Sequence, residues 1–372
     1  MKSKMNISKL IILSLLLSFF IGSHLIAGDL EFRGQLSATG LGFYSSDSWN
    51  KLLGLRYIPQ ITHTEILNDE MFIDTELHLN MFFSHDFTNP EYNIKLYRLK
   101  LRFATTQSEL RIGLQKINFG PAYILRPLRW FDKLDPRDAL GLTDGVYALR
   151  YKYNFLNNAQ IWLWGLYRNS GTKGYDILPT SLKKPELGGR FQLPFLDGES
   201  AVTIHSRIVD ASIFEYRETK VALDGRWDIE VGLWFESVLQ KNDHEMLPYK
   251  WNSMTTLGTD YTFEIGNGLH VIGEHMFFAA SEKPFGTEVH YHMTAIMANY
   301  PLGLFDGLMG MVFFSWEDHE LYKFVQWQRT YDNFILSLSM FHYPEGNLPS
   351  FGNSGSVPNQ GYGFQFTIIY NH

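Results

Sequence analysis

The chain of 372 residues contains no cysteine. That excludes a lipid anchor on an N-terminal Cys, a disulfide scaffold, a thiolate metal site and Cys-based catalysis. Charge is scarce too: Asp, Glu, Lys and Arg make up 19%, and the formal net charge is −7. An acidic chain is a poor match for nucleic acid, so that partner is not expected. No Gly-rich loop precedes a helical pattern as a phosphate cradle requires, and no fixed-period repeat recurs. Long apolar runs are absent beyond the first few dozen residues, so no transmembrane helix is expected there.

The one apolar run reads as a secretory signal over residues 1–28. Lys2, Lys4 and Lys9 supply the positive start, Leu10 to Ile21 the apolar core, and Ala27-Gly28 a small-residue cleavage point. The competing reading, an uncleaved membrane helix, has a short core for a span. Removing the three lysines takes the net charge from −7 to −10.

What the sequence has in excess is aromatic residues, 16% of the chain, with 29 Phe, 20 Tyr and 9 Trp. A soluble domain would have to bury them, whereas a membrane β-barrel displays them to lipid and in interfacial girdles. From Leu30 onward, segments of about eight to fifteen residues alternate with period two between turn residues. In the last, Tyr362, Phe364, Phe366, Ile368 and Tyr370 fall on one face, with Gly363, Gln365 and Thr367 on the other. Phe334 to His342 and Tyr147 to Tyr153 behave alike.

Alternation alone does not separate a sandwich from a barrel, but the connections do. Eighteen strands can be placed, from 30–44 to 362–370, with sixteen as the alternative count. Tight turns at Asn68-Asp69, Thr106-Gln107, Trp227, Gly266-Asn267-Gly268 and Tyr331-Asp332-Asn333 alternate with the long connections 117–145, 169–185 and 343–361. Short periplasmic turns and long external loops produce this rhythm. The expectation is an all-β, antiparallel, up-and-down transmembrane barrel filling 29–372. With its first strand near Leu30, it leaves no room for a preceding plug domain.

The alternation also assigns faces. On the fourth strand Tyr97, Leu99, Leu101 and Phe103 are expected toward lipid, which turns Arg98, Lys100 and Arg102 inward. Arg111 on the fifth and Arg150 and Lys152 on the sixth extend this basic wall. A cation on the lipid face would cost about 2–4 kcal/mol at the midplane. Across the barrel Glu230, Glu236, Asp260, Glu264 and Glu274 form the expected acidic wall. Opposed walls set up a transverse field that sorts polar solutes, or else merely fill the interior with salt bridges.

The connection 117–145 is too apolar for a solvated loop. It holds Tyr123, Ile124, Leu125, Leu128, Trp130 and Phe131 among Arg126, Arg129, Asp132, Asp135, Arg137 and Asp138. Such a segment wants burial, and the lumen is the available place. It is the third external connection, and in this the chain resembles Gram-negative porins, whose third external loop folds inward as a constriction. The wider match is to porin-like outer-membrane barrels, alginate-export-like relatives included. The resemblance implies that the six charged residues narrow and polarise an eyelet. It also implies passive passage of small polar solutes, and outer-membrane lipid and lipopolysaccharide as surroundings. One departure is the ending Tyr370-Asn371-His372, where porins usually end in an aromatic residue. The PELGG string, Pro185 to Gly189, is read as the opening of the eighth strand.

Two other function classes are weighed. One is a non-conducting barrel that binds an export or surface-polysaccharide partner. The other is a hydrolase at the rim, but His205 and Ser206 are adjacent on a strand and point to opposite faces. Asp318, His319 and Glu320 form only a short charged loop. His290 and His292 at i, i+2 are weak metal candidates, with Glu274 as third ligand. No cofactor is expected.

Overall fold

Hydrocarbon offers no water to backbone N–H and C=O groups, so a span built of strands has to close on itself. The computed structural model describes residues 28–344 and 360–372, whose regular elements are eighteen antiparallel strands. The expected signal (save Gly28) and most of the connection 343–361 lie outside the described residues.

The first nine strands are β1 (Asp29–Ser45), β2 (Ser48–Asn68), β3 (Met71–His85), β4 (Pro90–Ala104), β5 (Ser108–Gln115), β6 (Val146–Asn154), β7 (Gln160–Leu166), β8 (Glu186–Phe195) and β9 (Gly198–Asp210). The remainder are β10 (Glu215–Asp228), β11 (Gly232–Asp243), β12 (Trp251–Phe263), β13 (Leu269–Ser281), β14 (Val289–Pro301), β15 (Asp306–Ser315), β16 (Glu320–Thr330), β17 (Phe334–Tyr343) and β18 (Gly361–Asn371). Each strand pairs with the next, and β1 closes the ring by pairing with both β2 and β18.

On β9 and β10 burial follows a two-residue period, with aliphatic residues outside. On β9, Ala201, Thr203, His205, Arg207 and Val209 are buried, while Val202 and Ile204 are about half exposed to the surroundings (48% and 52%). On β10, Glu218, Lys220 and Asp224 are buried and Val221 and Leu223 exposed. Charged residues inside and branched aliphatics outside is the inversion that a lipid-facing wall demands.

At the closing seam the chain end continues the ladder. Gly34 N–H donates to the His372 carbonyl at 2.9 Å, and His372 N–H returns the bond at 3.0 Å. The His372 ring stacks on Tyr57 and Tyr370 and tilts against Phe32. A side chain on Gly34 would collide with that ring.

Two local expectations are corrected. β10 runs through Trp227 to Asp228, so the turn is 229–231 and begins two residues later than the sequence suggests. In β4, the pairing slips between His78 and Leu79, leaving Tyr97 bulged. A bulge inserts one residue and reverses which side chains face in. Tyr97 is consequently buried beside Arg98 and does not face lipid.

The lipid face yields a stability prediction. Leu257→Arg, at an exposed position in the middle of β12, should destabilise the folded barrel by about 2–4 kcal/mol. Urea unfolding in lipid vesicles measures it; Leu257→Val in the same assay should cost far less.

Candidate functional site

Five strands separate β6 from β12, so a loop leaving β5 and returning at β6 has to cross the barrel to touch β11 or β13. Segment 116–145 does so. Glu236 on β11 accepts the amides of Ala122 (2.9 Å) and Leu128 (2.8 Å). Glu274 on β13 accepts those of Tyr123 (2.7 Å), Ile124 (2.9 Å) and Leu125 (2.5 Å), and the Trp234 indole N–H at 3.0 Å. Gly120 permits this approach: its φ is +93°, and an added Cβ would strike the Glu236 carboxylate.

Apolar burial acts alongside the carboxylates. Ala122, Ile124 and Leu125 pack into a cluster with Met276, Met293, Met311, Phe313, Phe324 and Phe341, the inward residues of β13 to β17. Leu128, Trp130 and Phe131 join Phe119, Trp164, Leu166, Ala222 and Val238 in a second cluster. One half of the interior is therefore apolar, which the expectation of a polar lumen did not include. The connection 167–185 buttresses the loop. The Arg129 guanidinium lies 4.1 Å above the Tyr175 ring, and Lys133 Nζ donates to Thr172 Oγ1 at 3.0 Å.

All six charged loop residues are buried. Arg126 forks onto Asp132 at 2.8 and 3.2 Å, and Arg137 onto Asp135 at 3.0 and 2.7 Å. Arg137 also lies over the Tyr343 ring. Asp138 accepts the amides of Leu140 and Leu142, and burial pushes its carboxyl above the ordinary Asp range. Burial alone would lower Arg126, but the charge and hydrogen bonds of Asp132, with the Glu236 charge added, together outweigh it and hold the guanidinium above its usual value. The charges thus largely neutralise one another. Arg126, Asp135 and Asp138 still border a cavity of about 630 Å³ whose far side carries Arg190, Asp224 and Arg226.

Arg98, Lys100, Arg102, Arg111, Arg150 and Lys152 lie on neighbouring strands, with acids that the sequence reading passed over set among them. Lys100 pairs with Glu76 (2.7 Å), and Arg102 with Asp74 (2.8 Å). Glu109 takes Arg102, Arg111 and Arg150 at 2.7, 2.8 and 2.5 Å. Their positions opposite Arg102, Lys100 and Lys152 in the ladder were legible once the register was known. Arg98 is held by the Thr143 carbonyl at 2.7 Å. Even so, Arg102, Arg111, Lys116, Arg150 and Lys152 border a cavity of about 520 Å³ that contains one carboxylate, Glu109. Across the loop, Arg56, Lys95 and Lys133 line a further cavity of about 190 Å³ with Asp144.

The acidic wall is corrected. Glu230 sits in the 229–231 turn and Glu264 in the turn after β12, both exposed and outside the strands. Asp260 faces inward, 3.6 Å from His270, and Glu236 and Glu274 are taken up by the loop amides. No uniform acidic face therefore opposes the basic one. His290 and His292 are corrected as well: Met293 pairs with Met276 on the inner face, so the even positions of β14 point out of the barrel and away from Glu274.

Also missed was a buried ion network on the β8–β10 side. Arg207 holds Glu218 (2.6 Å) and Asp176 (2.9 Å), Lys220 holds Asp176 (2.9 Å), and Lys173 holds Glu186 (3.0 Å). Arg190 grips Asp224 at 2.6 and 2.7 Å. The alternation of strands nine and ten carried the signal for most of these.

No known family model and no curated protein sequence matches this chain. Solved outer-membrane porins do match in fold. The anion-selective porin of Comamonas acidovorans aligns at TM-score 0.55 and 11% identity, over 93% of this chain and 100% of that one. OccAB1 of Acinetobacter baumannii aligns at 0.59 and 8%, over 93% and 97%. OmpF of Salmonella typhi aligns at 0.53 and 9%, over 92% and 97%. The fold is that of a porin-like β-barrel.

The loop anchors give the second prediction. Glu274→Ala leaves three loop amides without acceptors, each worth about 1–3 kcal/mol when buried. The barrel should stay folded, as heat-modifiable gel migration reports, while limited proteolysis cuts within 117–145. Equal resistance of the variant and the parent protein would show that apolar packing alone holds the loop.

Proposed function

We propose that this barrel is a passive diffusion channel and not an enzyme, with segment 117–145 as its constriction and small anionic solutes as its preferred cargo. The observation that carries this reading is the asymmetry of the interior. The loop is anchored on β11 and β13 and packs on the apolar inward residues of β13 to β17, and the remaining cavities lie along the β2–β10 side. On that side Lys95, Arg98, Lys100 and Arg102 descend one strand, with Arg111, Arg150 and Lys152 beside them. Cations whose charge exceeds that of the facing carboxylates attract anions into a low-dielectric slot. The anion selectivity named for the Comamonas porin accords with the same arrangement.

Hydrolysis finds little support among the described residues. His205 Nδ1 accepts the Trp164 indole N–H, and Nε2 lies 3.3 Å from Glu186. Ser206 contacts Thr219 on the opposite face. A second reading, the non-conducting accessory barrel, draws on the apolar filling of half the lumen.

Planar-bilayer recording of the signal-free, refolded protein under a salt gradient tests both. Discrete steps with an anion-directed reversal potential are the expected result. Arg150→Ala with Lys152→Ala should move the reversal potential toward zero, and Arg126→Ala, Arg129→Ala and Arg137→Ala together should change the step size. Silence from barrels shown to be folded would overturn the channel and favour the accessory barrel.

A further inference from the structure

The outer wall carries a polar cluster that permeation does not use. His290 and His292 stand two residues apart on β14, facing outward, and the 316–319 loop brings Glu317 beside them. One nitrogen from each imidazole and one Glu317 oxygen lie within 4.8 Å of one another. The cluster belongs to the loop-bearing end of the barrel, opposite the short turns, which is the external end. Trp316, exposed, lies beside it, its backbone N–H donating to the His292 carbonyl at 3.2 Å.

Two of the three groups have fixed partners. Both Glu317 oxygens accept the His292 backbone N–H at 2.9 Å, which fixes the carboxylate on this side of the strand. His292 Nδ1 lies 3.3 Å from His275 Nε2, and His275 Nδ1 lies 2.9 Å from Thr294 Oγ1. Thr294 Oγ1 also accepts the Trp316 indole N–H at 2.9 Å. If His275 Nδ1–H donates to Thr294, its Nε2 accepts from His292 Nδ1–H, and His292 Nε2 becomes a lone-pair donor. An acceptor that takes the other ring N–H of a ligating histidine fixes its tautomer and ring orientation, and here the His275 imidazole occupies that place.

We infer that His290, His292 and Glu317 form a surface site for a divalent transition-metal ion of the Zn²⁺ type, with His275 as a positioning residue. Two neutral imidazoles and one carboxylate suit Zn²⁺, which takes nitrogen at about 2.0–2.1 Å and leaves a fourth position for water or an external ligand. Side-chain rotation suffices to draw the donors together, because His290 is exposed and Glu317 sits in a short loop. The ion would also offset the Glu317 charge at the lipid-facing rim.

Isothermal titration of the full refolded barrel in detergent with zinc chloride, in a non-chelating buffer, tests the site. One equivalent should bind per chain. His292→Ala and His290→Ala should abolish that binding, and Glu317→Gln should weaken it. His275→Ala should weaken it by about 10–100-fold, as for other outer-shell partners. His244→Ala, in the loop after β11, should leave the isotherm unchanged. Co²⁺ in place of Zn²⁺ adds a spectroscopic reading, since tetrahedral nitrogen–oxygen ligation gives visible absorption that His292→Ala should remove. Folding of each variant is checked by heat-modifiable migration. No saturable binding to the parent protein, or binding unchanged in folded His292→Ala, would overturn the site.

Discussion

Two carboxylates hold an irregular segment inside the barrel. A stretch without regular structure brings unpaired amides with it, and buried amides without acceptors are costly. Glu236 and Glu274 solve this by accepting five loop amides between them. Their side chains project inward because β11 and β13 alternate, and they meet the loop because Gly120 has no Cβ to keep Glu236 away. Once those bonds form, Ile124 and Leu125 are delivered to the apolar pocket of β13–β17, and the Arg126–Asp132 pair is enclosed.

The interior is in consequence two environments in one ring. Where the loop rests, inward positions are mostly Met, Ala and aromatic residues, which pack it chiefly through apolar contact. Where it does not rest, inward positions are Arg, Lys and their partners, which need water or counter-charge. Buried ion pairs contribute little net stability when compared with apolar replacements. Their abundance on β3–β10 is better explained by the character they give the remaining space than by stability.

The sequence made the barrel legible because lipid imposes a two-residue period on every strand, and every one of the eighteen was placed within a few residues. The 117–145 loop stood out for the same kind of reason: its apolar density is incompatible with solvent. What failed were the places where one residue of register matters. The turn after Trp227 slipped by two residues and carried Glu230 into the wall. The bulge at Tyr97 reversed faces above Arg98, and no periodic rule announces a bulge. His290 and His292 were placed on the wrong face because Val289 and Tyr291 give β14 no clear apolar side at its start. The partners Asp74, Glu76 and Glu109 were missed for a different reason: cross-strand neighbours follow from register, and the sequence lacks it.

The position of the loop also bears on whether the barrel conducts. A plug that served stability alone would be expected to spread its contacts around the ring and exclude water throughout. Here the carboxylate anchors lie on β11 and β13, while β4 is met through the Thr143 amide to the Tyr97 hydroxyl, the Thr143 carbonyl to Arg98 and Asp144 to Lys95, and β6 and β7 through the packing of Trp130 and Phe131 on Val146, Trp164 and Leu166. On that side the cavities on the two faces of the loop are both lined by cations, and β4 supplies residues to each. Desolvating so many cations is unfavourable without counter-charge or water. Water or counter-charge in the basic cavities beside the anchored loop would satisfy both halves of the interior at once, and the proposed passage rests on that requirement.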